Sequence, residues 1–357
     1  MKLGRWSLHC YCLPYAREVV WANAREDSGL YALLKLEAGG CAGIAEGTLK
    51  DTWSGVSPKS LAAALEDFLI PRLREVDLTD EKLVARAFAG IPENRLAKGM
   101  IESACWTLRA AIAREPLWKL WKAGRTREVA WTVTRQAPKA MAAEAAQVCA
   151  QHGFRVLKVK GGQGVDVDLR ALAEIRSAVG HAVELYVDAN SAYARAEALD
   201  YVLALAGAGV TVAEDPCSLQ PDAQFEALQK ASPIPILVDR SCASKEEAAL
   251  YLERGAQALS TKPGRVGLAE TRAIAAMSLR RGAKTAVGIY AESALGTLVN
   301  LQQPGTMAAE QTFFLTLTEQ VSTRVPEIRG GKIELPMEAD LSRLVDWERL
   351  RQLAYNI

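Results

Sequence analysis

Charged side chains end five successive apolar segments in the middle of the chain. Each segment has the length of a buried strand, and the ends of neighbouring segments are spaced 23 to 28 residues apart. A single Asp at a strand end is more often a helix N-cap, and a Lys-x-Lys pair is usually a solvated face, but five ends at one interval favour a common site. The residues are Lys158 with Lys160, Asp188, Glu214, Asp239 and Lys262.

Three of these residues carry carboxylates, and converging carboxylates need a cation. Oxygen ligands alone select a hard divalent ion, Mg²⁺ first and Mn²⁺ second. A divalent ion beside a base suits removal of the weakly acidic proton α to a carboxylate, because the ion stabilises the enediolate that forms. The residue types therefore predict a metal-dependent enzyme acting on a small carboxylate substrate.

The lysines are candidate acids and bases. Lys158 and Lys160 lie on the same side of one strand, because successive strand side chains alternate between faces. A second ammonium and a nearby divalent ion should lower a lysine pKa from about 10.4, which a base requires. The alternative is that both lysines pair with Asp188 or Glu214, which raises the pKa and leaves no base. Lys262 would serve the opposite face of the substrate.

Alternation of strands and amphipathic helices predicts an α/β fold, a modified TIM barrel. In such a barrel the chemistry lies at the C-terminal strand ends, and strands two and six are opposite, so Lys160 and Lys262 should face each other. A doubly wound sheet is the alternative, but no Gly-rich phosphate loop follows the first strand. The predicted strands are 129–134, 155–160, 184–188, 210–214, 236–239, 258–262, 285–289 and 312–316.

The pattern divides the chain into three parts. Residues 1–125 are predicted to form an α+β capping domain, with strands in 5–14 and 30–47, a hairpin turn at Gly39-Gly40 and a helix that Ser57-Pro58 begins. A long helix should begin near Asn94. Residues 126–320 are predicted to form the barrel, and residues 321–357 a C-terminal segment that packs back on the capping domain.

Composition excludes several classes of protein. A formal net charge of +1 gives no reason to expect nucleic acid or an anionic membrane surface as a partner. The absence of a long apolar run and of a signal-peptide pattern predicts a cytoplasmic protein. Seven scattered cysteines and three histidines predict reduced thiols and argue against a zinc site.

The motifs together resemble the enolase superfamily, in its muconate lactonizing subgroup. The resemblance covers most of the chain, because it includes segments of the capping domain and of the later strands. The matching stretches are KVK at 158–160, DAN at 188–190, EDP at 214–216, TKPGRVG at 261–267, IESACWTLRAA at 101–111, ESALGT at 292–297 and EQTFFLTLTE at 310–319.

The resemblance implies a capping domain on a (β/α)₇β barrel and a role for each charged strand end. Asp188, Glu214 and Asp239 would bind Mg²⁺, with Mn²⁺ as a second choice. Lys160 and Lys262 would be the acid/base pair, and Lys158 would assist Lys160 and contact the substrate carboxylate. Residues around these groups would support them, and the protein would be a homo-oligomer, dimer or octamer. The supporting residues would be Asn190, Arg240, Glu292 and Glu310.

Several positions depart from the subgroup's usual pattern. Arg240 follows Asp239 where a Glu is common, and Asp215 stands where a Gln is common, so we hypothesise that Arg240 pairs with Asp215. No Gly-Pro pair follows Glu310, which puts muconate itself in doubt as the substrate. No histidine falls at a strand end, which argues against a His–Asp base, and no Asp-x-Asp motif is present at the eighth strand, which argues against a dipeptide substrate.

Substrate specificity is expected to come from two capping loops at about 14–28 and 49–57. Trp21 or Trp53 should touch the substrate, with surface or interdomain packing as the alternative. Arg17 or Arg25 could favour a second anionic group. The reaction could be muconate-type cycloisomerisation, racemisation of an N-acyl amino acid or dehydration of the o-succinylbenzoate synthase type. A barrel that has lost catalysis and only binds a ligand is the alternative from a different class.

Overall fold

The computed structural model describes residues 1–20 and 25–356. The chain begins with a three-stranded antiparallel sheet of β1 (Arg5–Val20), β2 (Arg25–Ala38) and β3 (Cys41–Leu49), in that order. Gly39 and Gly40, both with positive φ, make the predicted hairpin turn. The predicted loop at 14–28 is wrong for its described residues, because β1 and β2 continue as a hairpin past an irregularity between Pro14 and Val19.

The capping helices pack against this sheet. Ser57 caps the helix that begins at Pro58, as predicted, through a reciprocal pair of hydrogen bonds with Ser60. A π-helical turn at Ala64–Leu69 precedes Pro71, which lacks the N–H that a regular α-helix needs. The helices are α1 (Asp51–Ser54), α2 (Pro58–Ala63), α3 (Ile70–Leu73), α4 (Glu81–Phe88), α5 (Arg95–Ala113) and α6 (Leu117–Leu120).

After the short strand β4 (Thr126–Glu128), seven parallel strands form a curled sheet, ordered sequentially from the first to the seventh. They are β5 (Trp131–Val133), β6 (Val156–Lys160), β7 (Glu184–Asp188), β8 (Ala213–Glu214), β9 (Ile236–Val238), β10 (Ala258–Thr261) and β11 (Lys284–Val287). Helices cover the sheet. They are α7 (Pro138–His152), α8 (Val165–Val179), α9 (Ala198–Gly207), α10 (Ala223–Ala231), α11 (Lys245–Glu253), α12 (Pro263–Val266), α13 (Leu268–Arg280) and α14 (Ala294–Asn300).

The barrel closes through Ala309 and Glu310. Ala309 forms a parallel bridge with Val129, and the Glu310 N–H donates to the Val287 carbonyl at 2.8 Å. The eighth strand predicted at 312–316 is therefore misplaced, because Phe313–Thr316 forms a 3₁₀ helix. A short apolar run fits a strand or a buried turn equally well, so periodicity alone could not decide.

The C-terminal segment touches both parts of the molecule. The strands β12 (Ile328–Arg329) and β13 (Lys332–Glu334) pair with β4, while α15 (Trp347–Gln352) leads to a bridge between Ala354 and Tyr11 of the capping sheet. The segment thus packs partly as expected, and the domain boundaries at 125 and 320 stay predictions. In the described part of the chain, no helix has the length and apolarity needed to cross a membrane.

Candidate active site

The charged strand ends meet at one end of the barrel. In the pairing of the strands, Lys160 is level with Asp188, and Asp188 is level with Glu214. Asp239 directly follows β9, and Lys262 directly follows β10. Three acid-bearing strands therefore separate Lys160 from Lys262, which places the two amines on opposite sides of the closed barrel, as the strand order predicted.

Lys158 forms the ionic centre of the site. Its side chain is 1% exposed, and its Nζ lies 2.9 Å from Asp188 Oδ2, 2.7 Å from Glu214 Oε2 and 3.0 Å from Glu310 Oε1. Burial opposes the charge, but the attraction of Asp188 and Glu214 outweighs it and raises the pKa of Lys158 well above its ordinary value. Pairing with Asp188 and Glu214, the alternative that the sequence left open, is observed, while the lowering expected beside a bound divalent ion stays a prediction.

The other two lysines each pair with one acid. Lys160 Nζ donates to Asp188 Oδ2 at 2.6 Å, and Lys262 Nζ donates to Asp239 Oδ2 at 2.6 Å. Burial lowers the pKa of Lys262, but the charge of Asp239 prevails and raises it. Burial likewise opposes ionisation of Asp188, yet Lys158 and Lys160 hold its pKa below the ordinary range. All three lysines are therefore placed to neutralise the acids at the strand ends.

The donor set fits a hard divalent cation. Asp239 Oδ1 is buried and accepts no hydrogen bond from any described residue, although Oδ2 is paired. Burial, then the charge of Asp188, raise the pKa of Glu214 well above its ordinary value, so these acids repel one another. In the described ranges, no group of three His, Cys, Asp or Glu side chains is arranged to hold a metal ion, and the Lys158 ammonium contacts two of the three acids. The oxygen-only donors and the orphaned oxygen suit Mg²⁺ or Mn²⁺.

The predicted supporting residues fall into two groups. Asn190 lies beside Lys160 Nζ, with Oδ1 3.4 Å away, and Glu310 accepts hydrogen bonds from Lys158 and from Thr132. Glu292 lies deeper, where it accepts from the Tyr290 N–H and from Asn300, and burial raises its pKa to about 7. Asn190 and Glu310 therefore contact the charged centre, while Glu292 braces the loop after β11.

The hypothesis that the Arg240 side chain pairs with Asp215 is wrong. Asp215 accepts hydrogen bonds from the backbone N–H groups of Asp239 at 3.1 Å and Arg240 at 2.8 Å. Burial, with the charge of Asp239, raises the pKa of Asp215 to about 7. Within the described residues, the Arg240 guanidinium forms no ion pair, and it lines the cavity above the site. Asp215 thus fixes the backbone after β9 and leaves the arginine side chain available to a ligand.

A cavity of about 360 Å³ lies between the strand ends and the capping domain. Lys158, Lys160 and Lys262 form its floor, and the hairpin residues Val19 and Val20 contribute to its cover. The barrel and the capping domain therefore both contribute residues to one cavity.

The structure separates the four predicted specificity residues. Trp53 lines the cavity and packs edge-on against Tyr290, with ring centroids 5.1 Å apart. Arg17 also lines the cavity, where Arg17 Nη2 lies 3.1 Å from Glu144 Oε2 of α7. Arg25 pairs with Glu18 at the surface and does not line the cavity, so the structure gives it no place against a substrate. Trp21 lies outside the described residues.

Sequence reasoning missed two arginines in the cavity wall. Arg135 follows the first barrel strand and donates to the carbonyls of Gly161 and Ala189, at 2.7 and 3.4 Å. Arg265, which lies within the TKPGRVG motif, donates to the Cys242 carbonyl at 2.6 Å. The rule that strand ends carry the chemistry would have identified Arg135, because it follows β5 as Asp239 follows β9.

Comparisons with known proteins agree with this architecture. The family described as mandelate racemase/muconate lactonizing enzyme, N-terminal domain, matches residues 16–121, and the family described as enolase C-terminal domain-like matches residues 140–346. The o-succinylbenzoate synthase of Geobacillus stearothermophilus is 30% identical over 302 residues, which cover 82% of this chain and 76% of that protein. The chloromuconate cycloisomerase of Pseudomonas putida is 27% identical over 371 residues, which cover 98% of each.

The fold comparison spans both domains. The crystal structure of muconate lactonizing enzyme from Pseudomonas fluorescens complexed with muconolactone covers 99% of each chain, with a TM-score of 0.91 and 25% identity. These matches confirm the resemblance drawn from the motifs and the predicted capped barrel. The chain is therefore an enzyme of the enolase superfamily and belongs to its muconate lactonizing enzyme subgroup.

Proposed function

We propose that this enzyme removes and returns the proton α to a carboxylate on a small acid, in a reaction of the muconate cycloisomerase type. The observation that carries the proposal is the placement of Lys160 and Lys262 on opposite sides of three acids, in the wall of one cavity. Two amines facing one substrate carbon from opposite faces can each transfer a proton, one as base and the other as acid.

Asp188, Glu214 and Asp239 would hold Mg²⁺, which when bound supplies positive charge for the substrate carboxylate. The rest of the chemistry belongs to side chains. Once Mg²⁺ met the charge of Asp188 and Asp239, their pull on the two ammonium groups would weaken, so Lys160 could take or give the α proton on one face and Lys262 could act on the other. Lys158, buried with three acids around its Nζ, stays charged and favours negative charge on the bound carboxylate. Val19, Val20 and Trp53, which line the cavity, would shield the reacting carbon from water.

Charges in the cavity wall favour a substrate with a second anionic group. Arg135, Arg240 and Arg265 all line the cavity, and none of the described acidic side chains forms an ion pair with them. Arg135 and Arg265 are engaged by backbone carbonyls, whereas Arg240 is the exposed one. A guanidinium presents a planar pair of donors that suits a carboxylate. This preference supports a diacid of the muconate kind or an N-succinyl amino acid over a monoacid.

Proton exchange tests the shared first step. Muconolactone, N-acetyl and N-succinyl amino acids would be incubated in D₂O with Mg²⁺, and loss of the α-proton signal would be followed by NMR. The proposal is supported if the wild type exchanges the α proton, and if Lys160→Ala loses exchange on one face of the substrate and Lys262→Ala loses it on the other. Exchange that survives in both variants refutes it, as does a wild type that exchanges none of the acids while retaining its fold.

The second anion has its own test. Arg240→Met should raise KM for an N-succinyl substrate about tenfold and leave KM for the matching N-acetyl substrate nearly unchanged, because only the first has a second carboxylate to bind. Arg25→Met is the matched control, since that arginine lies outside the cavity wall. Equal effects on the two substrates would remove Arg240 from the binding site.

A further inference from the structure

The loop after the KVK strand has few side chains that could fix its conformation. Gly161, Gly162 and Gly164 supply three of the four residues between β6 and α8, and Lys160 directly precedes them. Glycine loses more backbone freedom on ordering than any other residue. A base that must hold its amine within a fraction of an ångström of a productive position therefore needs a frame from outside the loop.

Asp168, on the first turn of α8, supplies one side of that frame. Its carboxylate accepts from the Gly162 N–H at 2.7 Å and the Gln163 N–H at 3.1 Å. It also accepts from the hydroxyls of Tyr193, at 2.7 Å, and Tyr201, at 2.8 Å. Asp168 is 3% exposed, and no cation among the described residues pairs with it. Four donors on one buried carboxylate leave it little freedom to move.

Arg135 holds the loop from the other side. Its guanidinium joins the carbonyl of Gly161 to that of Ala189, which follows Asp188 on the next strand. The fit is tight, because a Cβ at Gly161 would lie 2.8 Å from the Tyr201 hydroxyl and 2.9 Å from the Asp168 carboxylate. The loops after β6 and β7 are thus tied together where Lys160 meets Asp188.

We propose that Asp168 is a positioning residue for Lys160, holding the glycine loop so that the amine stays against Asp188 and Asn190. A buried carboxylate without a cationic partner is costly, and the four hydrogen bonds to Asp168, two of them from the loop amides, offset that cost. The proposal rests on the proposed function in taking Lys160 as the base on one face.

Different residues fix the backbone around Lys262, so the proposed role of Asp168 applies only to the substrate face that Lys160 serves. Arg265, from the helix that follows Lys262, bonds to the backbone carbonyls of Asp239 at 3.2 Å and Cys242 at 2.6 Å. Among the described residues, no hydrogen bond or ion pair joins Asp168 or its four donors to Lys262 or Arg265. Loss of the Asp168 frame should therefore disturb Lys160 and spare Lys262.

Competitive acylation measures how firmly the Lys160 amine is held relative to the Lys262 amine, and it needs no substrate. A limiting amount of N-hydroxysuccinimide acetate is added to the Mg²⁺-loaded protein, and peptide mass spectrometry gives the ratio of acetylation at Lys160 to that at Lys262. Asp168→Asn should raise the ratio about threefold, the scale of one lost hydrogen bond to Lys160. Asp166→Asn, an exposed acid on the same helix, is the matched control and should leave the ratio unchanged. An unchanged or lower ratio in Asp168→Asn overturns the proposal.

If Asp168→Asn fails to fold, Tyr193→Phe and Tyr201→Phe replace it, because each removes one of the four donors and keeps the carboxylate. Each should raise the ratio, and the pair together should raise it further. Folded variants with the wild-type ratio overturn the proposal equally.

Face-resolved exchange provides the catalytic readout. The D and L forms of N-succinylphenylalanine are compared, and the form that loses exchange in Lys160→Ala defines the Lys160 face. Asp168→Asn should lower kcat for that form by about 10- to 100-fold with little change in KM or in the other form. Equal losses for both forms overturn the proposal. A wild type that exchanges neither form counts against the proposed substrate class, and the acylation ratio then decides the role of Asp168.

Discussion

Lys158→Met removes the cation at the centre of the site while keeping a long, flexible side chain. Lys158 Nζ contacts Asp188, Glu214 and Glu310 within 3.0 Å, and the side chain is 1% exposed. The variant therefore leaves buried carboxylates without their counter-ion, which is the costly way to break a buried ion pair.

The expected loss of stability follows from the partners that remain. Asp188 keeps its ion pair with Lys160 at 2.6 Å, so Glu214 and Glu310 are the acids that mainly lose their counter-ion. Removing one partner of a buried ion pair costs about 3–5 kcal/mol. Uptake of a proton by Glu214, whose pKa burial already raises, would keep the loss near the lower end of that range. The free energy of unfolding should therefore fall by about 3 kcal/mol in the absence of divalent metal.

Urea denaturation followed by tryptophan fluorescence measures this loss, once in EDTA and once in saturating Mg²⁺. If Asp188 and Glu214 are metal ligands, Mg²⁺ should stabilise the variant more than the wild type, because it supplies the missing positive charge. Lys119→Met is the control, since Lys119 forms an exposed i,i+4 pair with Glu115 and should lose no more than about 0.5 kcal/mol. A Lys158→Met variant that unfolds at the wild-type urea midpoint in EDTA would refute the reasoning, and equal stabilisation of both proteins by Mg²⁺ would remove those acids from the ligand set.

Three further predictions concern packing, pH and assembly. Gly296→Ala should lower the free energy of unfolding by about 1–3 kcal/mol in thermal or urea denaturation, because the added Cβ would lie 2.2 Å from Glu46 Oε1. Gly207→Ala is the control and should not lower it in this way, because the space around Gly207 is open. Burial, with the charge of Glu270, raises the pKa of Glu102 to about 7, so its protonated form favours the folded state. That contribution is fully present below the unfolded pKa of about 4.3 and is lost as pH rises through 7. The free energy of unfolding of the wild type should therefore fall relative to that of Glu102→Gln between pH 5 and 8. A difference between the two proteins that does not change with pH would contradict this prediction. Light scattering should give a homo-oligomer, and a monomer would contradict the expectation drawn from the family.

Much of the site was predictable because a barrel repeats one unit. A strand and its helix return the chain to the same end every 23 to 28 residues, so charged residues at that interval had to meet. The strands that carry Lys160, Asp188 and Glu214 were placed correctly for this reason. The eighth strand was misplaced because the apolar run at Phe313 is buried under the capping hairpin, where Tyr15 packs edge-on against it. Burial there comes from the other domain, which local periodicity does not report.

Other features depend on contacts that no local pattern contains. The sequence suggested Arg17 or Arg25 for a second anion and assigned Arg240 to Asp215, and only the fold places Arg25 outside the cavity and Arg240 in its wall. Asp168 looked like an ordinary acid in the first turn of a helix, since such residues are common there. Its role became visible once two tyrosine hydroxyls and two loop amides were found on the same carboxylate.

The charge balance of the site would explain why the proposed metal and the substrate carboxylate bind together. Three lysine ammonium groups face four acids, Asp188, Glu214, Asp239 and Glu310, so with every group ionised these ion pairs would carry one excess negative charge. A substrate carboxylate added to that set would bring a second excess negative charge, which a buried site tolerates poorly. A divalent cation reverses the sign and leaves one positive charge, which a single carboxylate then neutralises. A second anion on the substrate must consequently be met in the cavity wall, where Arg240 lies, and tight binding of a carboxylate without divalent metal would contradict this balance.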